Sequence, residues 1–202
     1  AHANAPQVLQ LLRSELTRLA DAPPTADELA ARQATLVGSF GRRLETDFID
    51  QAVRLAIAVP GKAVKLTWSR EEDLTQDAYR PAAVARLRGS TEGGKAQALD
   101  VRVASLSVLA SQGVRAGLAM PGPDKLIADG TYEQHYGIPH YRATAYRAPT
   151  SIPVSSWRSV GNSFNGFFME GFIDELAVAA KKDPFEFRRA MLDSQPRYMK
   201  VL

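Results

Sequence analysis

The chain has 202 residues, 45% of them hydrophobic and 23% charged, which is enough apolar material for one domain or two small ones. Its net charge of +3 and pI near 9.3 come from scattered lysines and arginines, without the basic run that marks a nucleic-acid binder. The lack of cysteine excludes a disulfide framework, thiol catalysis and iron–sulfur ligation by this chain.

No apolar stretch approaches the roughly 20 residues of a membrane-crossing helix, and no charged and apolar leader pattern opens the sequence. A soluble protein is therefore expected, and the sequence does not decide its compartment, bacterial-type cytoplasm or periplasm. The sequence starts without methionine and stops after Met199-Lys200-Val201-Leu202, so it reads as a fragment.

In chain order, residues 7–21 place Val8, Leu12, Leu16 and Leu19 on one helical face, and Pro23-Pro24 stops the helix. Thr25-Ala26-Asp27-Glu28 is a capping box for a second helix through Leu29, Gln33 and Leu36, giving an αα-hairpin. The glycine-containing octet Gly38-Ser39-Phe40-Gly41-Arg42-Arg43-Leu44-Glu45 follows. Residues 47–59 predict a helix ended by Pro60-Gly61. Alternation of Val64, Leu66 and Trp68 predicts a strand over 63–69. Residues 80–88 and 96–109 predict two strands of a hairpin turned at residues 91–95. Residues 112–129 are loop-rich, and 141–147 predict another short strand.

The most informative stretch runs from Ser156 to Arg189. A polar turn, Ser159-Val160-Gly161-Asn162-Ser163, feeds an apolar helix over 164–181. Helical spacing puts Phe164, Phe168, Phe172, Leu176 and Ala179 on a buried face that Phe167, Ile173 and Ala177 widen. A helix N-terminus with unpaired N–H groups would make a phosphate-sized anion site; the alternative for Gly161, Asn162 and Ser163 is a plain turn and cap. Lys181-Lys182 suit the negative end of the helix. Asp183-Pro184-Phe185-Glu186 then caps a further helix through Phe187, Arg188, Ala190 and Leu192.

Trp157-Arg158-Ser159-Val160-Gly161, then Asn165-x-Phe167-x-x-Glu170-x-Phe172-Ile173-Asp174-Glu175-Leu176-Ala177, then Lys182-Asp183-Pro184-x-Glu186-Phe187-Arg188-Arg189 form a long ordered series. It resembles the molybdenum-binding subunit of the xanthine dehydrogenase/aldehyde oxidase family, of the isoquinoline 1-oxidoreductase β-subunit type. The octet is similar to the family's glycine-rich turn beside the pterin, although Val37 stands where the family pattern has its first glycine. Residues 1–42 also resemble the non-catalytic half of a pitrilysin/insulinase-type zinc peptidase, without that family's His-x-x-Glu-His zinc motif.

The first resemblance implies a molybdopterin cofactor, in a dinucleotide form, and oxidation of N-heterocycles or aldehydes with water-derived oxygen. It implies iron–sulfur clusters on a partner small subunit. The cofactor-contacting positions it implies are Gly38, Phe40, Gly41, Arg42, Arg158, Gly161, Asn162 and Ser163. Arg158 is foremost, because a planar cation can bond oxo or phosphate oxygens with two donors; otherwise it packs on Trp157 or pairs with a carboxylate. No catalytic residue and no metal ligand is assigned, since the family's glutamate base lies near the C-terminus of the full-length protein.

Glu170, in a helix that reads as buried, must be paired, protonated or open to a cavity. His135 and His140 read as surface or packing histidines. The expected fold is α+β, with helices and antiparallel strands in a partial molybdopterin-binding domain over 38–202, preceded by the hairpin over 1–37. The competing expectation is a non-enzymatic chimeric or scaffold protein, or a peptidase-like partner subunit.

Overall fold

The computed structural model describes residues 41–149 and 152–202. The expected αα-hairpin, with Gly38 and Phe40, lies outside the described residues. The chain divides between Arg43 and Leu44 into two units, and the elements below belong to the second except where Arg42–Leu44 is named.

Helices α1 (Asp47–Ala58) and α2 (Arg70–Gln76) precede strands β1 (Ala83–Glu92) and β2 (Lys95–Leu106). Helix α3 (Val108–Arg115) and strand β3 (His140–Ala148) follow, and helices α4 (Asn162–Ala179), α5 (Pro184–Met191) and α6 (Pro196–Val201) close the chain. This is an α+β arrangement. The strands form one sheet in the order β1-β2-β3.

Strands β1 and β2 pair antiparallel, with Leu87 opposite Val101. Their turn needs two successive left-handed residues, and Gly93 (φ 59) and Gly94 (φ 76) supply them. Strand β3 departs from the antiparallel expectation, for it runs parallel to β2 with Ala143 beside Val101. The chain returns to the same end of the sheet through α3 and a short 3-10 turn, Lys125–Ile127.

Strand β2 is the centre of the core. Leu99, Val101 and Val103 alternate inward and are at most 1% exposed. Against them pack Met169, Ile173, Leu176 and Ala177 of α4 and Phe187 and Met191 of α5. Fully burying a side chain such as Ile173 contributes about 1.5–3 kcal/mol.

The buried stripe of α4 is Asn165, Met169, Ile173, Leu176 and Ala177, which corrects the stripe expected from the phenylalanines. Phe164, Phe168 and Phe172 sit half-buried at the margin of the core, while Phe167 is 77% exposed.

Two further expectations are overturned. Residues 63–69 form no strand, and the chain instead enters α2, whose N-cap Ser69 accepts from the Glu72 N–H. The strand expected over 96–109 ends at Leu106, because Ser107 caps α3 by accepting from Ala110 N–H. The Ser107 hydroxyl in turn donates to buried Asp124, and that bond fixes the point where sheet gives way to helix.

Candidate functional site

The Trp157–Ser163 turn is held from beneath by a short stretch of residues 78–80. Tyr79 N–H donates to Pro153 O at 2.9 Å and Ser155 N–H donates to Tyr79 O at 3.0 Å, an isolated parallel bridge between Tyr79 and buried Val154. The Trp157 indole N–H donates to Ala78 O at 3.0 Å. The turn therefore leaves from a fixed backbone.

Within the turn, Ser159 (φ 73) and Val160 (φ 42) both lie in the left-handed region. That conformation is costly for any L-residue and more so for a β-branched one, and it persists only where the surroundings impose it. Gly161 itself is helical, with φ −64. It is there for closeness: a Cβ at this position would overlap the Leu126 carbonyl oxygen and meet Asp129 Cβ at 3.2 Å.

The expectation of unpaired N–H groups at the start of α4 is corrected for three of the donors. Asn162 N–H donates to Ser159 O at 2.8 Å, Ser163 N–H to Val160 O at 3.3 Å and Val160 N–H to Trp157 O at 2.8 Å. Those three donors are spent inside the turn, and side chains stand beside it. Arg158 is exposed, and the Arg80 guanidinium reaches the same turn, donating to Ser163 Oγ at 2.6 Å and to Arg158 O at 3.2 Å.

Asn162 also lines a cavity of about 470 Å³, together with His135, Tyr136, Met169, Glu170 and Tyr198. The His135 ring stacks on Tyr198 with centroids 4.0 Å apart. Glu170 is paired: it accepts from the Tyr136 hydroxyl at 3.0 Å and from Arg188 Nε at 2.9 Å. Burial first, and then the Glu170 charge, push the Tyr136 phenol up to about 12, so it stays a donor at neutral pH. This is the structural pairing offered for Glu170 by its sequence context.

The end of the glycine-containing octet is tied to the segment that leads into the turn. Glu45 accepts from Arg115 at 2.8 Å (Nε) and 2.6 Å (Nη2), from the Ser155 hydroxyl and from Gln112 Nε2 at 3.4 Å. Arg115 Nη2 also donates to Val154 O. Burial alone would raise the Glu45 carboxyl, but the bonds from Arg115, Ser155 and Gln112 outweigh it and hold the group below its ordinary value.

Of the sequence-derived candidates, Arg158, Gly161, Asn162 and Ser163 come together at the head of α4. Gly41, left-handed at φ 103, and Arg42, which opens a 3-10 turn at Arg42–Leu44, belong to the preceding unit. Sequence reasoning missed Arg80 and Arg115, whose partners lie up to 83 residues away and leave no local signal.

The molybdopterin cofactor-binding domain family matches residues 4–192, and the chain belongs to it. It is 31% identical over 172 residues to the membrane-bound aldehyde dehydrogenase (pyrroloquinoline-quinone) of Gluconacetobacter polyoxogenes, covering 82% of this chain and 22% of that protein. It is 31% identical over 173 residues to the beta subunit of isoquinoline 1-oxidoreductase from Brevundimonas diminuta, covering 85% and 22%. A nicotinate dehydrogenase subunit of Pseudomonas putida is 29% identical over 199 residues, with 93% and 16% covered.

The chain thus spans about a fifth of the length of the first two relatives, at 22% of each. The family match begins at residue 4 and takes in the stretch with the peptidase resemblance, and nothing in these comparisons supports a peptidase. Among the described residues no helix is long and apolar enough to cross a membrane.

The residues at the turn suit an anionic cofactor chiefly through their cationic side chains. The exposed Arg158 brings a planar cation to a turn in which the Val160, Asn162 and Ser163 amides are already bonded, and Gly161 lies close against the Leu126 carbonyl.

Proposed function

We propose that this chain is a cofactor-contacting part of a molybdenum-dependent hydroxylase or dehydrogenase that oxidises N-heterocycles or aldehydes with water-derived oxygen. The single observation that carries the reading is the Trp157–Ser163 turn, a left-handed, hydrogen-bond-closed loop presenting Arg158, in a chain matched from residue 4 to 192 by a molybdopterin-binding family. Relatives named for isoquinoline, nicotinate and aldehyde oxidation support these substrate classes.

When bound, the molybdenum cofactor supplies the redox chemistry and the activation of water. In this reading Arg158 donates to its anionic oxygens, and Asn162 and Ser163 border it. Gly161 lets the turn sit low enough on Leu126 to present them. Gly38, Phe40, Gly41 and Arg42 form the second contact, through the glycine-containing octet. A dinucleotide form of the pterin and iron–sulfur clusters on a partner subunit complete the proposed assembly; that two relatives are named as subunits supports the partner alone. No residue of this chain is proposed as the base, and residues 1–37 are proposed as a separate helical hairpin.

The test is molybdenum and pterin retained by protein purified from a molybdenum-replete host, for Arg158→Ala beside Arg147→Ala. Among the described residues Arg147 donates to the carbonyls of Met120 and Gly122, at 3.2 and 3.3 Å, at an exposed position where water can replace it. Loss of one charge-assisted hydrogen bond costs about 1.5–3 kcal/mol, so Arg158→Ala should retain about tenfold less cofactor, while Arg147→Ala retains the full amount. Equal retention in both would reduce Arg158 to a structural residue.

A further inference from the structure

We infer that Arg80 is a positioning residue for the cofactor-facing turn, acting through Arg158; the inference rests on the reading of that turn given above. Arg80 leaves a backbone that cannot shift easily, since Tyr79 is bridged to Val154 and Ala78 O holds the Trp157 indole. From there its Nη1 bonds both ends of the turn at once, Arg158 O at 3.2 Å and Ser163 Oγ at 2.6 Å. The Ser163 hydroxyl spends its single proton on Arg158 O, also at 3.2 Å. Arg158 O, Ser163 Oγ and Arg80 Nη1 thus form a closed triangle.

The triangle spans the two left-handed residues, Ser159 and Val160. Such residues return to ordinary φ unless the surrounding structure over-determines them, and a relaxed turn would swing Arg158 on its own backbone. A cation bonded to the Arg158 carbonyl is therefore the device that fixes the direction in which the Arg158 guanidinium leaves. Lysine at position 80 would carry the same charge on a flexible stem, without the rigid guanidinium plane that orients the bond to both acceptors.

The experiment uses the whole chain and four proteins: wild type, Arg80→Ala, Arg158→Ala and the double variant, with Arg80→Lys and Ser163→Ala as milder disruptions of the triangle. Amide hydrogen exchange at residues 159–163 reads the turn, and retention of molybdopterin reads the site.

Arg80→Ala should speed exchange in the turn about tenfold or more and lower retention by a similar factor, the worth of one charge-assisted bond. In the Arg158→Ala background the same change should alter retention less than about twofold, because its route has been removed. Arg80→Lys and Ser163→Ala should fall between wild type and Arg80→Ala on both measures. Unchanged exchange in Arg80→Ala, or equal loss of retention in both backgrounds, overturns the inference while leaving the Arg158 reading standing. Full retention by Arg158→Ala alone overturns that reading and the inference with it.

Discussion

Glu45 and Arg115, seventy residues apart, meet in a two-pronged ion pair at 2.6 and 2.8 Å, and the Glu45 side chain is only 11% exposed. The pair joins the last residue of the glycine-containing octet to α3, and through Ser155 and Val154 O to the strand-like segment before Trp157. Glu45→Gln keeps the shape and removes the charge, so it should cost about 1.5–3 kcal/mol near neutral pH.

The pH dependence of that loss has a definite sign. Because the folded Glu45 carboxyl lies below its ordinary 4.5, its contribution is complete above 4.5 and is lost as pH falls through the depressed folded value. Urea unfolding of wild type and Glu45→Gln should therefore differ most near neutrality and converge in acid. A constant difference down to acid pH would mean that the carboxylate charge is not what the site uses.

Asp100 on β2 carries a second pH signature. It accepts from Arg142 Nε of β3 at 2.7 Å and from Arg102 Nε at 3.1 Å, and the Arg142 bond above all holds its carboxyl down to about 2. Its contribution is present above the ordinary 3.8 and disappears as pH falls toward about 2. Asp100→Asn should flatten the acid limb of the stability profile in that window. Added salt should weaken the wild-type effect too, because this pair faces solvent.

Punctuation is the legible part of this fold. Pro60-Gly61, Gly93-Gly94 and Asp183-Pro184 each act on the chain within a few residues, and each ends or begins an element as read; Asp183 Oδ1 accepts from Phe185 and Glu186 N–H. Helix α2 also has a local signal, Ser69-x-x-Glu72, but the alternation of Val64, Leu66 and Trp68 just before it competes as a strand pattern.

What is not legible is non-local. Alternation in residues 141–147 says nothing of strand direction, so it carries no sign of the parallel pairing to β2. In α4 the size of the phenylalanines outweighs phase in a reading of the sequence, and the stripe comes out displaced. Asn165, fully buried, sits in the stripe instead, its amide donating to Ile127 O and Asp129 O at 2.8 Å. At the site, Arg158 and Ser163 are readable from a motif, whereas Arg80 and Arg115 are defined only by partners far along the chain.

Helix α4 ends on a left-handed lysine. Lys182 N–H donates to Ala177 O at 2.9 Å and Lys181 N–H to Val178 O at 3.0 Å, the paired bonds of a Schellman motif, with Lys181 at φ 55 in the position that favours glycine. Lys181→Gly should therefore stabilise the chain by about 1 kcal/mol, read as a higher urea midpoint with an unchanged slope. A lower midpoint would show that the Lys181 side chain makes up for its backbone.

Two glycines of α4 and its cap should respond in opposite directions to the same change. At Gly161 a methyl group would overlap the Leu126 carbonyl oxygen. Because the obstacle is backbone, neither a rotamer change nor a small side-chain shift relieves it, and Gly161→Ala should cost about 1–3 kcal/mol. At Gly166, one turn further on, a Cβ meets nothing within 4 Å, so alanine restores ordinary helix propensity and Gly166→Ala should gain about 0.5–1 kcal/mol. Urea unfolding of the two variants side by side checks both signs. The functional consequence differs as well: Gly161→Ala lifts the turn off Leu126 and should release cofactor along with stability, whereas Gly166→Ala, on the exposed side of the helix, should leave cofactor retention unchanged. If Gly161→Ala were as stable as Gly166→Ala, the close seat of the Trp157–Ser163 turn on the 3-10 turn at Lys125–Ile127 would not be the constraint that requires glycine there.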